Sequence, residues 1–217
     1  TLLAVLMICL YNKSENFYNN FPDLYPSYTP IQILDNLYPT VKGILEKEGI
    51  PENKLRALEG ELGSIKTDVN LQNTAILKQI LDELNQKVIP LFNNHFSTNS
   101  NYDIMGKFYE EFLKFAGVSN VKKGIVLTPR HITGLFTKLI PLKANDVILD
   151  LCCGTGAFLI AGMNKLLSIQ GADEKNIKEN QLLGFEINST MYICAISNML
   201  FRGDGKSRIY NLDSVND

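Results

Sequence analysis

The chain has little of what builds a metal centre or a disulfide framework. Its four cysteines, Cys9, Cys152, Cys153 and Cys194, contain no CxxC pair, and its two histidines, His95 and His131, lie far from them in sequence. The common zinc spacings are therefore excluded. The thiols read as small buried hydrophobes of a reduced, cytoplasmic compartment. No signal peptide is recognisable, and the apolar opening, Leu2 to Tyr11, is about half of the ~20 residues that a membrane-spanning helix needs, so it reads as a core helix. There is almost no net charge. With 21 basic and 23 acidic side chains balancing to −2, nothing draws the whole molecule to nucleic acid, and any DNA contact has to be local. Internal repeats and low-complexity tracts are absent. The chain also begins at Thr1 without a methionine, which reads as a piece of something longer. What is present is a globular composition, 45% hydrophobic over 217 residues, enough for one or two domains with a real core.

The first half is patterned for helices. Ile31, Leu34, Leu37, Val41, Ile44 and Leu45 recur at three- and four-residue steps, with Pro39 expected to kink or restart the helix. Leu55, Leu58, Leu62 and Ile65 mark a second amphipathic stretch, and Ile76, Leu77, Ile80, Leu81, Leu84 and Val88 a third. After a polar loop over Asn93 to Asn101, a helix from Ile104 to Ala116 carries a bulky stripe and stops at Gly117. Residues 1–117 thus read as an N-terminal helical domain.

From residue 118 the grammar changes to alternating helix and strand, which argues for a parallel α/β sheet. Thr128 is placed to cap a helix from about Arg130 to Ile140, with Pro129 in its first turn. Val147, Ile148 and Leu149 suit a central strand buried on both faces and ended by Asp150. A glycine turn follows, then a helix from Ala157 to about Ile169, a polar surface insertion over Gly171 to Asn180, a strand over Leu182 to Ile187, a helix from about Thr190 to Phe201, and a strand over about Arg208 to Leu212. The α/β domain of residues 118–217 reads as partial, with further strands expected.

The glycine turn carries the chemistry. Gly154 and Gly156 permit backbone conformations and close approach that a Cβ would block, and the helix after them aims its free amides at whatever fills the turn. A dinucleotide site wants a third glycine three residues after Gly156, but Leu159 stands there. S-adenosylmethionine has no phosphate. It asks for a glycine turn, an acid near its cationic methionine end and a second acid for the ribose hydroxyls, and Asp150 and Glu186 suit these two roles. Asp213, after the third strand, is placed to meet the adenine amino group. For Glu186 and Asp213 the plain alternative is a solvated acid at a strand end.

In order along the chain, Thr128-Pro129 ahead of a helix, Asp150-Leu-Cys-Cys-Gly-Thr-Gly156 with Phe158-Leu159, Gly184-Phe-Glu-Ile-Asn188 with Met191-Tyr192, and Leu212-Asp-Ser214 resemble the N6-adenine DNA methyltransferases. The likeness is greatest to the modification subunits of type I restriction-modification systems. It implies a class I S-adenosylmethionine-dependent methyltransferase domain of Rossmann-like fold behind a helical domain. By that resemblance Thr128 and Pro129 line the methionine end, and Asp150, Gly154, Thr155 and Gly156 form the cofactor turn with Phe158 and Leu159 following. Glu186, with Ile187 beside it, takes the ribose, and Asp213 meets adenine. The resemblance also implies DNA as substrate and separate specificity and restriction subunits as partners, with no membrane. Leu151 and Cys152 stand where the family usually has Pro and Ala, and Leu127 replaces an aromatic before Thr-Pro. The family's Asn- or Asp-Pro-Pro-aromatic motif, which holds the flipped-out adenine, has no counterpart, because the sequence contains no Pro-Pro. No catalytic residue is therefore assigned, and the 217 residues alone are expected to be inactive. Two alternatives stay open, a class I methyltransferase for another substrate and a non-catalytic helical platform for assembling restriction-modification subunits. Lys122, Lys123, Arg130, Lys138 and Lys143 are candidates for phosphate contact, or else ordinary solvated surface.

Overall fold

A computed structural model describes residues 2–11, 21–47, 49–72, 75–90, 105–106, 127–206 and 208–216. Their contacts divide the chain into two compact units, Thr1–Thr98 and Asn99–Asp217.

The first unit is helical throughout its described residues: α1 (Leu2–Tyr11), α2 (Phe21–Leu24), α3 (Pro30–Lys47), α4 (Glu52–Lys66), α5 (Val69–Gln72) and α6 (Ile76–Glu83), the last continuing as a π turn over Leu84–Val88. Val5 through Leu10 of α1 are all buried, as a helix apolar on every side must be, and α1 packs on α3. Among the described residues no helix is long and apolar enough to cross a membrane. The start of α3 is fixed by a reciprocal capping box, in which the Thr29 amide donates to Gln32 Oε1 (2.8 Å) and the Gln32 amide to Thr29 Oγ1 (3.3 Å). Its end is fixed by Gly49 at φ +71°, with the Ile50 amide reaching back to the Leu45 carbonyl at 3.0 Å. Pro39 does not restart the helix. It lies on the exposed side of one continuous element whose Ile33, Leu34, Leu37, Val41, Ile44 and Leu45 are buried, so core packing outweighs the one backbone bond that proline forfeits. The segment before α3 is tied to α6 by the Tyr25 hydroxyl donating to Asp82 (2.8 Å) and by Lys78 donating to the Pro26 carbonyl (2.9 Å).

The second unit holds a parallel sheet in the order β1 (Ile148–Asp150), β2 (Leu182–Phe185), β3 (Arg208–Tyr210), interleaved with α7 (Arg130–Leu139), α8 (Ala157–Leu167), α9 (Glu174–Asn176) and α10 (Ser189–Leu200). The register sets Leu149 opposite Leu183 and Gly184 opposite Ile209. Alternation along the strands then puts Ile148, Leu182, Gly184 and Ile209 on one face. Helices cover that face. A Cβ at Gly162 of α8 would run into the Ile148 side chain, and one at Gly184 would come within 2.8 Å of Leu159 Cδ1, while Leu182 and Ile209 are fully buried. The opposite face carries Val147, Leu149, Leu183, Phe185 and Tyr210. Val147 and Leu149 are 56% and 53% exposed, so the expectation of a strand buried on both faces fails. Among the described residues β1 is an edge strand with helices on one side only, and an apolar run by itself does not say how many neighbours it has.

Several boundaries move. Pro129, not Thr128, is the N-cap residue of α7, and no side chain caps that helix. The strands are shorter than expected, β2 ending at Phe185 and β3 at Tyr210. The stretch over Gly171 to Asn180 is more than a polar surface insertion. It contains α9, capped by Asp173, and then a π turn over Ile177–Gln181 in which Ile177 and Gln181 are buried. Gln181 Nε2 donates to the carbonyls of Ala144 (2.8 Å) and Asp146 (2.7 Å), latching the approach to β1 onto the start of β2. The helix expected over Ile104 to Ala116 lies outside the described residues except for Met105 and Gly106, which are helical. The loop over Asn93 to Asn101, the stop at Gly117 and the lysines Lys122 and Lys123 lie outside them altogether.

Candidate functional site

Because all three strands run parallel, Asp150, Glu186 and Asp213 emerge at the same, carboxyl end of the sheet. In an open α/β sheet that is the end where ligands bind. The chain leaves β1 at Asp150 and is drawn sideways at once, the Cys153 amide donating to the Phe185 carbonyl of β2 at 2.9 Å. A tight turn follows, closed by the Gly156 amide on the Cys153 carbonyl at 2.7 Å. Gly154 (φ +56°) and Gly156 (φ +84°) both adopt left-handed conformations, and no residue other than glycine does so among the described residues. The two glycines differ in what surrounds them. A Cβ on Gly156 would lie 3.6 Å from the Cβ of Ala195 in α10, whereas one on Gly154 would meet no atom within 4 Å. Gly156 therefore seals the turn against α10, and Gly154 faces open space. Gly156 is also the N-cap of α8 and brings no side chain to the helix start, which leaves first-turn amides for a ligand.

Glu186 is 9% exposed, and both of its carboxylate oxygens hold backbone: Oε2 accepts from the Gly154 amide (2.8 Å) and Oε1 from the Asn188 amide (2.7 Å). A carboxylate offers about four lone-pair sites, so acceptor capacity remains on each oxygen. The residue is itself gripped by its neighbours. Its amide donates to the Tyr210 carbonyl (3.0 Å), and Asn211 Nδ2 donates to the carbonyls of Glu186 (2.7 Å) and Ile187 (3.2 Å). Asp150 Oδ1 accepts from the Cys152 amide (3.1 Å). Burial pushes the Asp150 carboxyl above the ordinary carboxylate range, against the lowering effect of that amide and with a further upward push from the charge of Glu186. A site with this much negative charge at its glycine turn suits a cation and a diol, and is poor for a pyrophosphate.

The other expected site residues are placed as follows. Thr155 is buried within the turn. Phe158 is half-buried and meets the ring of Phe136 edge-on at 5.4 Å, tying α8 to α7. Leu159 is fully buried beneath β2, so its contribution to the turn is support from below. Ile187 is exposed beside Glu186. Thr128 is half-buried and Pro129 exposed at the start of α7, which packs along α8. Asp213 caps its own turn, accepting from the Val215 amide (3.0 Å) and from Asn216 Nδ2 (2.6 Å), and the Val215 bond is the main reason its pKa is lowered. Three cysteines are buried as expected, but Cys152 is exposed in the turn. The Cys153 thiol is pushed well up, chiefly by burial, which suits a packing role and not a nucleophile. No group of residues suited to a metal ion occurs among the described residues.

Two asparagines escaped the sequence reading: Asn211, which clamps the Glu186 loop, and Asn198, whose Nδ2 donates to the Thr155 carbonyl at 2.9 Å. Asn198 did leave a signal, as a lone amide in the otherwise largely apolar α10.

Residues 100–217 match the sequence profile of a family described as N-6 DNA methylase. Over 183 residues the chain is 38% identical to the type II restriction enzyme and methyltransferase RM.BcgI of Heyndrickxia coagulans, covering 80% of this chain and 28% of that protein. It is 33% identical over 97 residues to the type I restriction enzyme MjaVIII methylase subunit of Methanocaldococcus jannaschii, covering 42% of this chain and 17% of that protein. Against the type I restriction enzyme EcoEI methylase subunit of Escherichia coli, identity is 24% over 172 residues, covering 78% of this chain and 33% of the subunit. The chain thus spans a third or less of each of these relatives. A crystal structure of a modification subunit from Vibrio vulnificus aligns with a TM-score of 0.59 at 16% identity, covering 99% of this chain and 49% of that one, and speaks for the fold alone.

Proposed function

Because the chain belongs to the N-6 DNA methylase family, we propose that it is the S-adenosylmethionine-holding part of a methyltransferase that modifies the N6 amine of adenine at specific DNA sites within a restriction-modification system. The observation that carries this reading is the Glu186 carboxylate bonded to the Gly154 amide beside Asp150, at the carboxyl end of a parallel sheet. When bound, S-adenosylmethionine supplies a methyl group made electrophilic by its sulfonium charge. Glu186 would take the ribose hydroxyls with its remaining lone pairs, and Asp150 would face the cationic end. The open space over Gly154 would admit the nucleoside, and Asp213 would meet the adenine amino group. No Pro-Pro pair is present to hold a target adenine, so these 217 residues are assigned cofactor binding and no methyl transfer.

Calorimetric titration of the folded chain tests this. S-adenosylmethionine and its demethylated product are expected to bind in the micromolar range and NAD not at all; a folded chain silent to both nucleosides would overturn the reading.

Asp150→Asn separates stability from binding. A carboxyl whose folded pKa is raised carries no penalty below the ordinary carboxylate pKa. As pH rises through that value towards the native one, the unfolded chain releases its proton first and the fold loses stability. At neutral pH the penalty is complete, and asparagine removes it while keeping the Oδ1 acceptor for Cys152. We expect a higher Tm at neutral pH, little change near pH ~3, and a loss of about tenfold or more in the affinity for the sulfonium form relative to that for the product, which lacks the sulfonium charge. An unchanged preference between the two ligands would remove Asp150 from the methionine end.

We further propose a cytoplasmic protein that acts on DNA, with separate specificity and restriction subunits as partners, a reading supported by its likeness to type I methylase subunits. The likeness over 80% of the chain to a protein named as both restriction enzyme and methyltransferase favours a second arrangement, in which cleavage and modification share one polypeptide. The mass of the native polypeptide separates the two.

A further inference from the structure

We propose that Asn198 is a positioning residue that ties the glycine turn to the segment bearing Met105, so that the shape of the turn depends on how that segment is seated. Every residue of α10 from Met191 to Met199 is buried, and Asn198 is 0% exposed. Its neighbour Ser197 spends its hydroxyl inside the helix, on the Ile193 carbonyl (2.7 Å). Asn198 does the opposite and sends both ends of its carboxamide out of the helix. Nδ2 donates to the Thr155 carbonyl at 2.9 Å, and Oδ1 accepts from the Met105 amide at 3.1 Å. Met105 and Gly106, both buried, are the first described residues of the second unit.

The Thr155 carbonyl and the Gly156 amide belong to one planar peptide group. Holding that oxygen therefore sets the direction of the Gly156 N–H, which closes the turn on the Cys153 carbonyl at 2.7 Å. Glu186 grips the near end of the same turn through Gly154, and Asn198 grips the far end. No other side chain of this size does both jobs. Leucine fills the space without either bond, and aspartate accepts from Met105 but, when ionised, repels the Thr155 oxygen. Buried polar groups left without partners are costly, so loss of Asn198 penalises both the Thr155 carbonyl and the Met105 amide.

The effect on ligand rests on the cofactor reading above; the tie itself does not, and the experiment separates them. Amide hydrogen exchange is followed in peptides covering residues 152–157 and Met105, in the 217-residue chain and its Asn198→Leu and Asn198→Asp variants. S-adenosylhomocysteine is titrated into each. Near pH ~8 the leucine variant is expected to exchange faster in both peptides and the aspartate variant chiefly in residues 152–157, and both to bind about tenfold or more weakly. On lowering the pH to ~5.5, and comparing each variant with the wild-type chain at the same pH, the aspartate variant alone is expected to regain wild-type protection, since a buried carboxyl protonates early and then donates to Thr155 while accepting from Met105. Glu186→Gln is expected to loosen residues 152–157 and leave the Met105 peptide protected. Exchange that rises uniformly across both units, or an aspartate variant with no recovery on acidification, would overturn the tie. A wild-type chain that ignores the nucleoside would overturn the cofactor reading and leave the exchange result to decide the tie.

Discussion

Replacing Glu186 with alanine is expected to weaken S-adenosylmethionine binding by more than about a hundredfold, because under the proposed cofactor reading two charge-assisted hydrogen bonds to ribose, each contributing roughly 1.5–3 kcal/mol, would go with it. The same substitution is expected to destabilise the ligand-free chain. It strips the acceptor from the Gly154 and Asn188 amides, and an unsatisfied buried donor costs about 1–3 kcal/mol, so a loss of roughly 2–4 kcal/mol is expected with partial rehydration. Thermal or urea unfolding without ligand measures the second effect, and calorimetry on the folded fraction the first. Glu186→Gln divides them differently. Its amide oxygen serves one of the two backbone donors while its NH2 faces the other, so it keeps part of the stability but lacks the charge. If alanine weakened binding and left the unfolding midpoint where it was, the grip on Gly154 would have no energetic weight.

Gly156→Val is the second large effect. A β-branched residue at φ +84° carries left-handed strain of about 1–2 kcal/mol. Its added methyls extend from a Cβ already 3.6 Å from Ala195, where overpacking typically costs another 1–3 kcal/mol. A destabilisation of roughly 2–5 kcal/mol and a loss of measurable binding are expected, since the first turn of α8 has to shift. Gly154→Ala provides the contrast. Its Cβ meets nothing, so it is expected to cost only the strain, about 1–2 kcal/mol, and to impair binding through the methyl it places in the open space. Equal stability losses at both glycines would show that contact with α10 does not matter.

Much of this was readable in the residues because it rests on local rules. Gly154 and Gly156 announce left-handed backbone, which only glycine takes readily, and Leu159 excluded the dinucleotide fingerprint because that rule is a spacing. Glu186 was placed by the end of an apolar strand. Its grip on the turn was not readable, since the Gly154 amide is 32 residues away and only the sheet register brings the two together. Asn198 lay deeper still, with partners 43 and 93 residues distant and a residue type that sequence alone assigns to the surface. Thr128 failed as a cap because the fixed φ of Pro129 already suits the cap position. The stretch over Gly171 to Asn180 reads as surface because its polar composition hides Ile177, which is buried, and gives no sign of the buried Gln181 that directly follows it.

Leu149 teaches the converse, an apolar residue that composition buries and the fold leaves in water. Its consequence is colloidal. Among the described residues Val147, Leu149 and Leu151 lie along a β1 edge that carries no lysine, proline or bulge, and an edge left open in that way is a template for another strand. For these 217 residues taken alone, encounters between copies are then expected to matter more at high concentration than the free energy of the fold, and light scattering against concentration measures them. Scattering that stays flat as concentration rises would show that the edge attracts no visiting strand.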